Sequence, residues 1–288
     1  MQIAQQCNNG TQVERSGTHG AGATGVYLYC FTRPDAARDF PSTGMDGCQQ
    51  VAAIEVKEVA AVFSRVDLEE FNGDVSPANL QDPAWIVPRA CRHEEVIERI
   101  MTHSPVLPVR FGAVFSSQQN LERLLAKNAQ EISWFLDRMS DKEEWAVKGF
   151  VDGAKARAWL LSSDPELSRK RKGMARSPGS RYLQEKRLHN EADKRVKPWC
   201  RSVSQRVGEE LTGRALRAHS LRLQPRNVSG RDAEMIFNCA FLLSRDSVTD
   251  FRARVESVQA DYGEQGILFE PSGPWPPYNF CPAIEEAP

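Results

Sequence analysis

Leu188, Ala192, Val196, Trp199, Val203, Val207, Leu211 and Ala215 recur at spacings of three and four. Only an α-helix gathers such positions into one stripe, and a stripe this long must be covered by a sheet or by other helices. The spacing predicts a helix over residues 181–218, kinked where Pro198 removes an internal hydrogen bond. Strands are read on either side of it. Trp145, Val147 and Val151 alternate as one, and residues 234–243 form a long apolar one. Leu221 and Leu223 alternate with polar residues, and residues 266–270 read as a last strand. A short helix over 154–161, a basic loop over 162–180 and a helix over 247–261 with Phe251, Val255 and Val258 inward complete the pattern. The order is β-α-β-β-α-β, the ferredoxin-like arrangement.

The first half follows the same plan with its first helix reduced to a loop. Residues 25–32 are apolar and aromatic, and residues 51–56 and 59–64 are two strands joined by Lys57-Glu58. Asp82-Pro83 pairs an N-cap residue with proline at the first helical position, starting a helix to about residue 102 through Ile86, Ala90, Ile97 and Ile100. Residues 106–111 read as a strand, and 117–140 as a helix with Leu121, Leu125, Ile132, Phe135 and Leu136 on one side. The expected fold is therefore α+β: two ferredoxin-like domains joined by the 117–140 helix, with a proline-aromatic C-terminal tail. The expected division is a disordered extension over 1–24, domains over 25–141 and 142–271, and a tail over 272–288.

Charge separates the halves. Residues 1–141 carry 12 Lys and Arg against 18 Asp and Glu, whereas residues 142–288 carry 25 against 20. Within 169–231 the count is 18 basic to 5 acidic. That segment is a candidate nucleic-acid surface, weighed against the solvated face of a long helix, which is the favoured reading because no aromatic-basic run or zinc-finger spacing accompanies it. The seven cysteines are scattered with no CxxC pair, so free thiols are expected and neither a zinc site nor a disulfide framework is suggested. No apolar run approaches the roughly 20 residues of a membrane span. The N-terminus lacks the apolar core of a signal peptide. The expected location is cytoplasmic, with no membrane partner.

Motifs of catalysis fail on context. Gly20, Gly22 and Gly25 match GxGxxG by letter, but the dinucleotide site needs a strand before it and a helix after it. His93-Glu94 begins like HExxH, yet Ile97 occupies the place of the second zinc ligand. No nucleophile, acid or base constellation is visible, so no enzyme activity, cofactor or metal is expected.

The tail, Gly273-Pro-Trp-Pro-Pro-Tyr-Asn-Phe280, joins three prolines to three aromatics. It is stiff and apolar, built for packing or binding, since none of its side chains is a ready nucleophile or general base. Four further segments accompany it in order: Arg92-His93-Glu94, Val106-Leu-Pro-Val-Arg-Phe-Gly112, Glu144-Trp-Ala-Val-Lys148 and Gly179-Ser-Arg-Tyr-Leu183. Together the five resemble the gas vesicle accessory proteins GvpF and GvpL, over about residues 25–281. The resemblance implies a two-domain α+β protein that acts at gas vesicle nucleation and is a minor vesicle component. It implies as partners the hydrophobic major shell protein and other accessory Gvp proteins, with no catalytic residues to carry over and no nucleic acid expected. The candidate residues for interaction or inter-domain packing are Trp275, Tyr278, Phe280, Arg110, Phe111 and Tyr182. A nucleic-acid-binding protein using 169–231 is the alternative.

Overall fold

The computed structural model describes residues 24–38, 42–71, 82–174, 177–226 and 232–284. The expected disordered extension lies outside them, save Thr24, as do Gly20 and Gly22. The chain divides into two compact units, Met1–Lys142 with Trp275–Pro288, and Glu143–Pro274.

In the first unit β1 (Thr24–Thr32) is central, and every residue of it after Thr24 is buried. It pairs antiparallel with β3 (Val59–Asp67), which pairs with β2 (Val51–Val56). Lys57 takes φ +57° in the turn between β2 and β3. The four-residue α1 (Pro34–Ala37) replaces the missing first helix, and α2 (Leu68–Phe71) follows β3. Next comes α3 (Pro83–Met101), where the Asp82 carboxylate accepts from the Ala84 N–H as an N-cap and the helix continues through Pro88. It buries Ala90, His93, Val96, Ile97 and Ile100. The strand expected over 106–111 is broken into β4 (Leu107–Pro108) and β5 (Val114–Phe115), both on β1. Pro108 has no N–H for the ladder, and Gly112 at φ +95° turns the chain. The last helix, α4 (Gln118–Met139), is capped by the Ser117 side chain and buries Leu121, Leu125, Ile132, Phe135 and Leu136. It lies against β1, β2 and β3. Cover on both faces explains why β1 reads as an unbroken apolar run.

The second unit comprises β6 (Lys142–Val151), α5 (Gly153–Ser163), α6 (Pro165–Lys172), α7 (Pro178–Thr212), β7 (Arg217–Ser220), β8 (Glu234–Ser244), α8 (Val248–Gly263) and β9 (Ile267–Trp275). Its sheet runs β7-β8-β6-β9, and that of the first unit β2-β3-β1-β4. Taken in each unit's own chain order, both are the ferredoxin-like 2-3-1-4.

Three boundaries differ from expectation. The basic loop over 162–180 contains α6, because Asp164 accepts from the Glu166 and Leu167 N–H groups and Leu167 is fully buried. Helix α7 ends at Thr212, and residues 217–220 pair with β8 instead of extending it. Pro198 lies inside α7 without ending it. Strand β9 continues into the proline-rich tail as far as Trp275. Cys30, Cys48, Cys200, Cys239 and Cys281 are free thiols, but Cys91 is disulfide-bonded, against the expectation of free thiols throughout.

Candidate functional site

The first unit holds a polar cluster inside an aromatic cage, centred on His93. Four residues before Ile97 on the buried stripe of α3, the imidazole is fully enclosed. Tyr29 stacks on it at 5.8 Å, and Tyr27 and Phe111 meet it edge-on at 5.7 and 5.9 Å. Burial of that size requires each ring nitrogen to find a partner.

Both do. His93 Nε2 lies 2.9 Å from the Val109 carbonyl, which can only accept, so Nε2 carries the proton. Nδ1 is then the acceptor for the Tyr27 hydroxyl at 2.9 Å. The Tyr27 oxygen in turn accepts from the Gly112 N–H at 3.1 Å. The turn that breaks the predicted 106–111 strand thus delivers two main-chain groups to one tyrosine-histidine pair.

Tyr278 of the tail closes the cluster. Its hydroxyl donates to Glu94 Oε1 at 3.0 Å and sits 3.3 Å from His93 Nε2. The tail holds this position through its own turns, Tyr278 N–H to Pro276 O at 2.7 Å and Phe280 N–H to Pro277 O at 3.0 Å.

Electrostatics follow from enclosure. Burial pulls His93 down to about 4, a shift partly countered by its bond to Val109, so the ring is neutral at physiological pH. Burial raises Glu94, against the pull of the Tyr278 hydroxyl. It also pushes Tyr29 up to about 12 and Tyr27 and Tyr278 higher still. The tyrosines stay protonated, and Tyr27 and Tyr278 donate within the cluster. Both nitrogens of the imidazole are engaged by protein groups. Among the described residues no group of three or more His, Cys, Asp or Glu is placed to hold a metal ion.

The structure gathers two of the six candidate residues here, Tyr278 and Phe111. Arg110, next to Phe111, is exposed. Phe280 is buried, and Trp275 is half-buried at the end of β9. Tyr182 stands near the start of α7 in the second unit, 65% exposed. The central residue, His93, was not among the candidates. Its signal was its spacing: it fills the gap between Ala90 and Ile97 on the helical stripe.

Part of the basic segment's charge lies in ion pairs. Arg195 bonds to Asp164 at 2.7 Å, to Glu191 at 2.9 Å and to Glu166, and Lys170 bonds to Glu166 at 2.8 Å and Glu191 at 2.7 Å.

Comparison with known proteins gives one consistent answer. The family model described as gas vesicle synthesis protein GvpL/GvpF matches residues 25–282. Gas vesicle protein L of Streptomyces sp. (strain CB03234) is 26% identical over 261 residues, covering 90% of this chain and 94% of its own. Gas vesicle protein F of the same organism is 26% identical over 190 residues, 65% of this chain and 75% of its own. Among solved structures, GvpF from Anabaena sp. PCC7120 superimposes with a TM-score of 0.66 at 20% identity, over 91% of this chain and all of that one. GvpF from Microcystis aeruginosa does so with a TM-score of 0.57 at 20% identity, covering 89% and 98%.

Proposed function

The chain belongs to the GvpL/GvpF family of gas vesicle synthesis proteins, and from that premise we propose that it is a non-enzymatic assembly factor that binds the hydrophobic major shell protein. It holds shell subunits before they polymerise and meets other accessory gas vesicle proteins during nucleation. The observation that carries this reading is the family match across residues 25–282, which takes in both units and the tail. The physical need is clear: a shell subunit exposes apolar surface until it assembles, and such surface aggregates unless covered.

The closed hydrogen bonding of His93 supports a binding role over a chemical one. Tyr182 and Leu183, 65% and 56% exposed, are anchors available on α7, whereas Tyr278 and Phe280 are used within their own unit. The ion pairs of Arg195 and Lys170 weigh against nucleic acid as the partner of the basic segment.

Co-expression with the major shell protein, followed by affinity capture of this chain, tests the proposal. Shell protein is expected in the captured fraction, and less of it in the insoluble one. A shell protein that stays equally insoluble and never co-purifies, with or without the other accessory proteins, overturns the reading.

A further inference from the structure

The sheet of the second unit ends on β7, the terminal strand of the order β7-β8-β6-β9. Three of its four residues are exposed. Leu221 donates to the Asn238 carbonyl at 2.9 Å. Main-chain direction alternates along an antiparallel ladder, so the N–H and C=O groups of Ala218 and Ser220 point away from β8. Beside this edge runs a groove of about 820 Å³, closed on its other side by the C-terminal half of α7. Gly208 of α7 keeps it open, since an added Cβ there would stand 3.3 Å from the Phe237 ring. Leu223 lines the groove and Leu216 precedes β7, 48% and 54% exposed. The Asn238 amide donates to the Arg222 carbonyl at 2.9 Å, keeping residues 221–223 alongside β8, while its buried Oδ1 has no partner among the described residues.

We propose that this groove takes an extended segment of another polypeptide, one alternating apolar and acidic side chains, which adds to β7 as a fifth strand. The edge, unpaired on its outer side among the described residues, supplies main-chain pairing, and the groove receives every second side chain. Charge selects the occupant. Arg201 lines the groove and Arg222 flanks it, and neither has an ion-pair partner among the described residues. Glu209 is the one acidic residue in the lining, already accepting from Gln205 at 2.9 Å. A second copy of β7 would set Arg217 and Arg222 against their own kind, which disfavours self-pairing. Bases find no exposed aromatic in the lining on which to stack, since Phe237 is only 9% exposed. The proposal is independent of the shell-protein reading, because it specifies a segment chemistry rather than a protein.

Its test is fluorescence anisotropy of the full chain with a labelled peptide alternating glutamate and valine, beside the same peptide with lysine for glutamate. The glutamate peptide is expected to saturate, with the lysine peptide at least about tenfold weaker. N-methylation of the valines or of the glutamates separates strand pairing from mere charge. One set is expected to weaken binding about tenfold and the other to be tolerated, because alternate amides face β7. Leu223→Asp and Arg222→Glu, both at exposed positions, are each expected to weaken binding by about fivefold or more, with unchanged circular dichroism. Absence of saturation, equal binding of the two charge types, indifference to both N-methylated forms, or unchanged affinity in both variants overturns the proposal. So does displacement of the peptide by a single-stranded oligonucleotide, which would assign the groove to nucleic acid instead.

Discussion

The two units share a strand order and differ in what fills them. The core of the second unit is mainly apolar, with Glu144 and Asn238 among its buried polar residues: Val147, Val203, Val207 and Leu211 meet Phe241, Phe251, Val255 and Phe269. That of the first unit places Tyr27, Tyr29 and His93 at the corresponding depth, all at 0% exposure. Apolar packing is non-directional and tolerates exchange of similar shapes, whereas a buried hydrogen-bond chain requires each member in place. The first unit therefore converts its core into a fixed geometry for a distant segment, the tail. The second converts its core into a platform for α7 and the terminal β7 edge. Each of the following experiments bears on that contrast.

Phe251→Ala is expected to have the largest effect. The ring is 1% exposed and lies 5.1 Å from Phe241, so truncation leaves a cavity costing about 3–5 kcal/mol. Hydrogen exchange of the β8 and α8 amides measures it. Phe251→Leu, which keeps most of the volume, is expected to recover more than half of the loss. Equal damage from both variants would mean that this core is as exacting as the first, and the contrast would fail.

The next effect is a pH slope that belongs to the first unit. His93 titrates near 4 in the fold and at its ordinary 6.5 when unfolded. As pH falls from 6.5 toward 4, the unfolded chain takes up a proton that the folded ring refuses, so stability falls. The full span corresponds to about 3 kcal/mol. Glu94 and Glu98 work in the opposite sense. Burial raises both, so their contribution is complete below 4.5 and is lost as pH rises through their raised values. His93→Gln keeps a donor and an acceptor but no titration in this range. Its α3 amides are expected to lose the acid-side decline and keep the opposing drift. An unchanged decline would place the responsible group elsewhere.

Tyr278→Phe removes only a hydroxyl. Glu94 and His93 each lose a contact, at 3.0 and 3.3 Å, while the ring stays packed. A cost of about 1–2 kcal/mol is expected, read as faster exchange of the α3 amides around Glu94. No change at all would show that the ring, not the hydrogen bond, holds the tail, and the first unit would then resemble the second.

Legibility divided along the same line. The stripes of α4 and α7 were readable because apolar burial leaves a period in the sequence, and Asp82 announced its helix by cap chemistry. His93 was hard to place because a histidine in an apolar stripe reads as a gap, although its spacing to Ile97 and Ile100 is that of a buried position. Its link to Tyr278 spans 185 positions, and no local pattern encodes such a pairing. Helix α6 was hidden because Leu167 is its only buried residue. Strand β7 was placed a few residues late, at Leu221 and Leu223, for a related reason: its own four residues are mostly exposed and carry no alternation. The features easiest to read were those that pack; the hardest were those that pair at long range or remain uncovered.

The smallest effect is expected where the contacts are most numerous. Arg195 reaches Asp164, Glu166 and Glu191, the densest ion-pair group of the second unit, yet all four side chains are partly exposed. Water and salt compete for such pairs, and ordering several long side chains consumes most of the gain. Asp164 also keeps its bonds to the Glu166 and Leu167 N–H groups when the arginine is gone, so the start of α6 stays capped. Arg195→Met retains the stem that lies along α7 and removes the charge. Its thermal midpoint at physiological salt is expected to match that of the parent chain. A clear drop that deepens as salt is lowered would show that the second unit depends on polar contacts after all, placed on its surface rather than in its core. The contrast would then lie in where each unit keeps its polar network.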